Sequence, residues 1–290
     1  MTPELGASGP RLDVAWVIAI LANWLVITAA IVCAFHLGNW AIYLLAVCVI
    51  GTRQHALAVL GHHAAHFHVS SNKRLNDLLA NLFAAWPIGY SLSGYRRSHF
   101  EHHRTAGTDA DPELTLYRMF PRKWSSDANQ FRLFVTDVIG FGSYELLLLW
   151  TNLMRWQPLT PVSRRIEEFL GLALWRIGAV VLIALRYGWW ASAAAVLLWY
   201  GALLTSFFAA YRLRCLHARI AGTQPYSGKR PALWQRCLYL PANSWLVWEH
   251  YAWPSIPLRR LKSQAGVAAR PVSAANHLAS PPDPAAIDLI

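Results

Sequence analysis

Cysteine is scarce and scattered in this sequence of 290 residues. Its four cysteines, Cys33, Cys48, Cys215 and Cys237, lie in separate segments and form no CxxC pair. This spacing indicates neither a disulfide framework nor a thiolate metal site. The CxxCH motif, the GxGxxG motif and the cysteine sets of ferredoxins are also missing. The sequence therefore offers no motif for attached haem, a bound dinucleotide or flavin, or an iron-sulfur cluster.

Charged residues are also few, and acidic ones are the rarer kind. Charged residues make up 14% of the chain and hydrophobic residues 55%, with 15 tryptophans. This composition is too apolar for an ordinary soluble domain and indicates a membrane protein. The formal net charge is +11. Basic residues that face anionic lipid explain this charge more simply than nucleic acid does, so we expect no nucleic-acid partner.

Four apolar runs have the length of membrane spans, which need roughly 20 apolar residues. They are Val14 to Phe35, Trp40 to Leu60, Phe169 to Leu185 and Trp189 to Tyr211. Only "HLGN" separates the first pair and "RYG" the second, so each pair is predicted to form a helical hairpin. We therefore predict an all-α integral membrane fold with four transmembrane helices in two hairpins and a cytoplasmic helical cap. The length of the first run favours a retained helix over a cleaved signal peptide.

The distribution of basic residues orients the hairpins. Of the 26 lysines and arginines, 22 lie in 61–168 or 212–290. Both segments are therefore predicted to be cytoplasmic, with both chain termini, in a bacterial inner membrane. Two apolar segments in the first of them, 78–95 and 131–150, suit helices at the membrane interface, although 131–150 could be a fifth span. We expect 1–262 to form one domain and the tail from 263 onward to be disordered.

Histidines cluster at two places on the predicted cytoplasmic side. His62 and His66 are four residues apart, and His99, His102 and His103 have the spacing i, i+3, i+4. In a helix, such residues share a face. Histidines also gather at membrane interfaces because they are amphipathic, and this suffices for isolated ones. Two clusters with chelating spacing instead favour a metal site, since neutral imidazole binds iron, zinc and copper well.

With these clusters, the chain resembles the membrane fatty acid desaturase and hydroxylase superfamily, which carries three histidine boxes. "GHHAAH" is similar to the first box and "YRRSHFEHH" to the second, and "TDADPE" looks like the Asp-Pro element that follows it. "PANSWLVWEHYAWPSIP" is similar to the third. There Val247 and Tyr251 stand where the family has histidines, whereas His250 agrees.

The resemblance implies two irons held by eight or nine histidines. The matching positions supply six, and His217, just beyond the fourth span, is the seventh candidate. With two histidines of the third box missing, one iron site is expected to be depleted. The predicted metal ligands are His62, His66, His99, His102, His103, His217 and His250, and the predicted supporting or substitute ligands are Asn243, Glu249, Tyr251 and His55.

Two of the remaining histidines receive different expectations. His63 points about 100° away from His62 on a helix, so we expect it to face elsewhere. His55 lies seven residues before His62, on the same face and about 10 Å deeper. An ionisable group at that depth is either functional or hydrogen-bonded inside the bundle, and the sequence leaves both open.

The resemblance implies oxygen-dependent desaturation or hydroxylation of a fatty acyl or lipid alkyl chain, and it identifies no catalytic residue beyond the metal centre. Electrons then have to come from an external donor, because the sequence carries no redox motif of its own. We expect a small acidic electron-transfer protein, such as a ferredoxin, to dock on Arg96, Arg97 and Arg104 by charge complementarity.

Three other functions stay open on the sequence. Carotenoid ketolases and hydroxylases share similar boxes and topology, so a polyene ring is an alternative to an acyl chain. A membrane enzyme with a histidine-bound zinc would need only three protein ligands and a water. A non-catalytic relative could have lost part of the third box, although the first two boxes are intact.

Overall fold

The computed structural model describes residues 12–106, 108–112, 132, 162–221 and 229–262. The predicted helix at 131–150 and the tail from 263 lie outside the described residues, apart from residue 132. The described helices are α1 (Val14–Leu37), α2 (Trp40–Ala65), α3 (Lys73–Ala80), α4 (Leu92–Thr105), α5 (Val162–Tyr187), α6 (Trp189–Ala202), α7 (Phe208–Ala221), α8 (Leu233–Leu238) and α9 (Val247–Ala252).

Four helical segments are long and apolar enough to cross a membrane, as predicted. They are α1, α2, most of α5, and the nearly continuous helix Trp189–Ala218. The first hairpin turns at Gly38, whose φ of 57° is left-handed, and Asn39 then caps α2 by accepting from the backbone N–H of Ala41. The second turns at Gly188, with a φ of 91°. The predicted all-α integral membrane fold is thereby confirmed.

Helix α2 is the centre of the bundle. It packs against α1, α4, α6 and α7. Of its most apolar stretch 61% is buried, against 17% for α1 and 11% for α5. The two outer helices therefore present their leucines and isoleucines to the surroundings, as helices in contact with lipid do. The buried C-terminal half of α2 carries His62 into the interior.

A π-helical turn, Leu203–Phe207, joins α6 to α7 where this span crosses α2. Gly51 of α2 allows the close approach, because a Cβ added there would lie 2.3 Å from Cβ of Ser206 and 2.6 Å from the backbone nitrogen of Phe207. The hydroxyl of Ser206 donates to the carbonyl of Cys48 at 2.8 Å. The two central spans are thus held together by contacts that only glycine permits.

The segment 78–95, which we predicted to form a helix at the membrane interface, is broken at Gly89. Gly89 has a φ of 95°, which ends the preceding helical turn. Two tryptophans of the spans attach this segment to the bundle: Nε1 of Trp24 donates to the carbonyl of Phe83 at 2.9 Å, and Nε1 of Trp199 to that of Pro87 at 3.2 Å. This segment is therefore fixed to the membrane helices.

We expect Gly51→Ala to destabilise the protein by about 1–3 kcal/mol, because the new methyl group overlaps the π-helical turn. Gly201→Ala in α6 is the matched control, since an added Cβ there meets nothing within 4 Å. Thermal unfolding of the purified protein in detergent should show a lower melting temperature for the first variant and not for the second. Equal melting temperatures would contradict the close packing of these two helices.

Candidate metal centre

The C-terminal end of α2 is held by a buried guanidinium. The last carbonyls of a helix have no partner within it. Arg96 of α4 supplies two donors, with Nε to the carbonyl of Ala65 at 2.9 Å and Nη2 to that of Ala64 at 3.1 Å. Its Nη1 donates to the carboxylate of Asp77 in α3 at 2.9 Å. One side chain therefore ties α2, α3 and α4 together where the histidines lie.

This arrangement corrects one expectation about partner docking. Arg96 is only 5% exposed and its guanidinium is occupied by Asp77 and two carbonyls. The prediction that it docks an acidic partner is therefore wrong, because this side chain cannot reach another protein. Arg104 of the same helix pairs with Glu101. Because this pair is exposed, Arg104 stays available at the surface.

Four histidines from three parts of the chain converge beside this cap. His62 lies on α2, His66 directly follows that helix, His99 lies on α4 and His250 on α9. One ring nitrogen of each lies within 4.8 Å of those of the other three. The structure thus brings together histidines of all three predicted boxes.

The Nε2 atoms of these rings and of His103 lie in contact. His62 meets His250 at 2.9 Å and His66 meets His99 at 2.9 Å. His103 lies 3.0 Å from His99 and 3.2 Å from His250. His99, His103 and His250 therefore each have two Nε2 neighbours at hydrogen-bond distance.

These contacts cannot all be hydrogen bonds between imidazoles. A ring nitrogen has one in-plane position, which holds either a proton or a lone pair, so it cannot donate to one neighbour and accept from another. A cation among the rings would satisfy all the lone pairs at once. Nitrogens bound at about 2.0–2.1 Å and at right angles around one ion are about 3 Å apart, similar to the separations here. The donor set is therefore compatible with a metal ion.

The protonation state of these rings suits the same role. Burial in the first place, and the neighbouring imidazoles in the second, hold the pKa values of His66, His103 and His250 well below the usual value. A histidine whose pKa is lowered in this way is neutral at pH 7. Neutral imidazole keeps the lone pair that a metal ion needs.

Tyr95 of α4 supports two of these rings, and the sequence analysis did not find it. Its hydroxyl lies 3.0 Å from Nδ1 of His62, and its ring stacks on that of His99 with centroids 5.2 Å apart. A hydrogen bond at Nδ1 fixes the orientation of an imidazole that binds through Nε2. The signal in the sequence was its position four residues before His99, on the same face of the helix.

His102 diverges from the converging rings, although it belongs to the same box. Residues 102 and 103 differ by about 100° around a helix, so the two rings point in different directions. Nδ1 of His102 lies 2.8 Å from the carboxylate of Asp111, in the Asp-Pro element, and Nε2 lies 3.1 Å from the hydroxyl of Tyr251. Because the Nδ1 proton is donated to Asp111, the tyrosine hydroxyl donates to Nε2.

The structure places the remaining predicted site residues outside the group of four histidines. His217 is hydrogen-bonded to the backbone of Trp245, and His55 contacts the carbonyl of Tyr239 at 3.2 Å through Nε2. Asn243 donates to the carbonyl of Leu258 at 3.3 Å. A ligand role for His217 thus stays a prediction, and so do the supporting roles of Asn243, Glu249 and His55. Glu249 is fully buried on α9, directly before His250.

A cavity opens beside the histidines. Its walls come from α2, α4, α7 and α9 and include His62, His99, His102 and His250. Val247 and Tyr251, the two residues predicted to stand in place of third-box histidines, also line it. The cavity thus gives a small molecule or a chain segment access to the imidazole cluster.

Comparison with known proteins is consistent with this site. The family described as "Fatty acid desaturase" matches residues 38–279. The dihydrorhizobitoxine desaturase of Bradyrhizobium elkanii is 34% identical over 122 residues, which cover 39% of this chain and 34% of that protein.

Two acyl-lipid desaturases match over a shorter stretch. The sn-2 acyl-lipid omega-3 desaturase (ferredoxin) of Helianthus annuus is 38% identical over 74 residues, covering 26% of this chain and 16% of that protein. The corresponding sn-1 enzyme of Nostoc sp. (strain 36) is 36% identical over 74 residues, covering 26% and 20%. The matched segments thus span about a third or less of each relative, and no solved structure matches the chain.

We expect Arg96→Met to destabilise the protein by about 3–5 kcal/mol, because it leaves Asp77 buried without its partner. Arg104→Met on the same helix breaks only an exposed pair and should change stability by less than about 1 kcal/mol. Unfolding by denaturant in detergent measures both. A similar small loss for the two variants would show that the buried guanidinium does not organise the site.

Proposed function

The chain belongs to the fatty acid desaturase family, and from this premise we propose that it is an oxygen-dependent, iron-centred membrane oxidoreductase. In this proposal it desaturates or hydroxylates a fatty acyl or lipid alkyl chain at the cytoplasmic face of the membrane. The observation that carries the proposal is the meeting of five imidazole Nε2 atoms at one end of a bundle of apolar helices. Acyl chains lie beside such helices in a bilayer, so an alkyl substrate would be close to the imidazole cluster.

We propose that His62, His66, His99, His103 and His250 hold iron. Their Nε2 atoms form a row in the order His62, His250, His103, His99 and His66, and neighbouring atoms in this row are 2.9–3.2 Å apart. The second iron of the family is the doubtful one. His102 is the one predicted ligand that remains for a second iron beside the cavity, and Val247 and Tyr251 stand where two more histidines would be. We therefore propose one complete iron site and one depleted site.

When bound, the iron would activate dioxygen next to an unactivated C–H bond, chemistry that no side chain performs alone. The protein contributes position and dryness. Tyr95 and Asp111 bind the Nδ1 positions of His62 and His102 and so fix the orientation of both rings. The burial of His62, His99 and His250 keeps bulk water from the place where a reactive species would form.

An external electron donor is the second part of the proposal. The Helianthus and Nostoc relatives carry "ferredoxin" in their names, and the described part of this chain has no redox motif of its own. We propose that a small acidic protein docks on the surface around Arg97 and Arg104. Charge complementarity of this kind mainly accelerates association and is screened by salt.

Removing one ligand should abolish stable metal binding. We expect purified His99→Ala protein to lose most of its iron, because His99 contacts two other ligand nitrogens, whereas His36→Ala should keep the wild-type iron content. His36 is the matched control, since it lies exposed in the last turn of α1, away from the cluster. Metal analysis by mass spectrometry measures the iron content of both variants. Undiminished iron in His99→Ala would contradict the assignment of His99 as an iron ligand.

Restoring the third box tests the depleted site. We expect the double variant Val247→His, Tyr251→His to bind more iron per chain than the wild type, because both positions line the cavity beside His102. The measurement is iron per chain after reconstitution with ferrous iron. An unchanged ratio would contradict the view that these two substitutions alone deplete the site.

Docking of the donor is tested by salt and by charge reversal. We expect donor-dependent turnover to fall as ionic strength rises, and Arg104→Glu to lower it at low salt. Arg186→Glu is the control, because Arg186 is exposed at the hairpin between α5 and α6, beyond the opposite ends of the spans. Turnover that is insensitive to salt in the wild type would count against an electrostatic docking site.

A further inference from the structure

The cavity beside the imidazole cluster is more polar than an alkyl chain requires. Besides the histidines, the residues that line it include an arginine, a serine and four tyrosines. The apolar part of the wall is contributed by small or aliphatic side chains of α2 and of the segment around α9. A cavity with this lining suits a molecule that has both an apolar part and a charged or strongly polar head.

Arg214 brings a permanent positive charge to this wall. It lies on α7, three residues after Tyr211, which also lines the cavity, near the C-terminal end of the apolar helix Trp189–Ala218. An arginine that lines an internal cavity at the end of an apolar helix is a candidate group for binding an anion. Its side chain has five N–H donors in a planar fork, so it can serve several acceptors and can bind a carboxylate through two parallel hydrogen bonds.

Ser244 supplies a second, independent polar group. It is 2% exposed and lines the same cavity. Its hydroxyl oxygen is buried and has no hydrogen-bond partner among the residues that the structure describes. A buried hydroxyl without a partner is unfavourable, because it has lost its hydrogen bonds to water. An acceptor atom of a bound ligand would satisfy this group.

We propose that this cavity binds the carboxylate of the substrate, with Arg214 holding its two oxygens and Ser244 donating a further hydrogen bond. The inference rests on the proposed function and specifies its substrate class. Because His62, His99 and His250 line the same cavity, the oxidised carbon would lie near the carboxylate rather than at the far end of a long chain. The alkyl part would pack against Ala58, Val59, Leu246 and Val247.

Two sources of such a carboxylate are compared in the test, a free fatty acid and a small amino acid. The full-length protein in detergent is titrated with hexanoate and with norleucine, each against the amide in which an uncharged carboxamide replaces the carboxylate, by isothermal titration calorimetry. We expect at least one acid to bind on the order of 10- to 100-fold more tightly than its amide, as charge-assisted hydrogen bonds allow. A preference shown by hexanoate alone identifies the fatty acid, and one shown by norleucine alone identifies the amino acid.

Variants connect the preference to the proposed residues. Arg214→Gln should remove the preference for the acid while leaving the affinity of the amide unchanged, and Arg214→Lys should retain part of it. Ser244→Ala should weaken acid binding by about 2- to 10-fold. Arg230→Gln is the control, because Arg230 is exposed and does not line the cavity. Bound iron and the elution profile of each variant report whether it is folded.

The proposal is overturned if neither acid binds more tightly than its amide, or if folded Arg214→Gln keeps the full preference. These results are independent of the redox proposal. A wild-type protein that binds iron but shows no preference for an acid would keep the proposed oxidation and lose the carboxylate site. A protein that binds the acid through Arg214 but binds no iron would keep the carboxylate site and lose the proposed iron-centred oxidation.

Discussion

The whole arrangement depends on one electrostatic constraint, the meeting of five imidazole nitrogens. Three of them have two neighbouring nitrogens at hydrogen-bond distance, and no distribution of protons can satisfy every contact. In water each ring would have its own hydrogen bonds, so gathering them in a buried place is costly. On our proposal a bound cation offsets this cost, and the surrounding helices hold the rings at the positions in which they bind it.

The protein around the cluster provides rigidity at the points where the histidines are attached. Arg96 fixes the end of α2, on which His62 lies, against the helix that carries His99. Gly51 lets the fourth span approach α2 so closely that α7 forms a wall of the cavity. Side chains that are not ligands thus hold in place the elements that carry the rings. A ligand set assembled from three separate segments needs such support, because each segment alone is free to move.

Much of the fold could be predicted from sequence because it follows from local signals. The apolar runs predicted the four spans, and the short connections within each pair predicted the two hairpins. Helical spacing placed His62 with His66 and His99 with His103. Long-range packing carries no such signal, and this is why the prediction for Arg96 was wrong. Arg96 and Arg104 lie in the same basic stretch and look alike in the sequence. Only the fold shows that the partners of Arg96 are buried. The contacts of His217 and the support from Tyr95 also depend on tertiary neighbours.

The third box illustrates the same limit in chemical terms. The resemblance predicts that Val247 and Tyr251 stand where the family has histidines, but the sequence does not predict what Tyr251 contacts. In the structure its hydroxyl satisfies His102, whose other nitrogen is bound by Asp111. Tyr251 therefore completes a hydrogen-bonded set with His102 and Asp111 at the wall of the cavity.

The most direct test of the central claim is X-ray absorption spectroscopy of the purified wild-type protein, with its metal content determined on the same sample. The account predicts iron in the sample, bound by a shell of imidazole nitrogens. One zinc per chain and no iron, or no metal after reconstitution with ferrous iron, would contradict it.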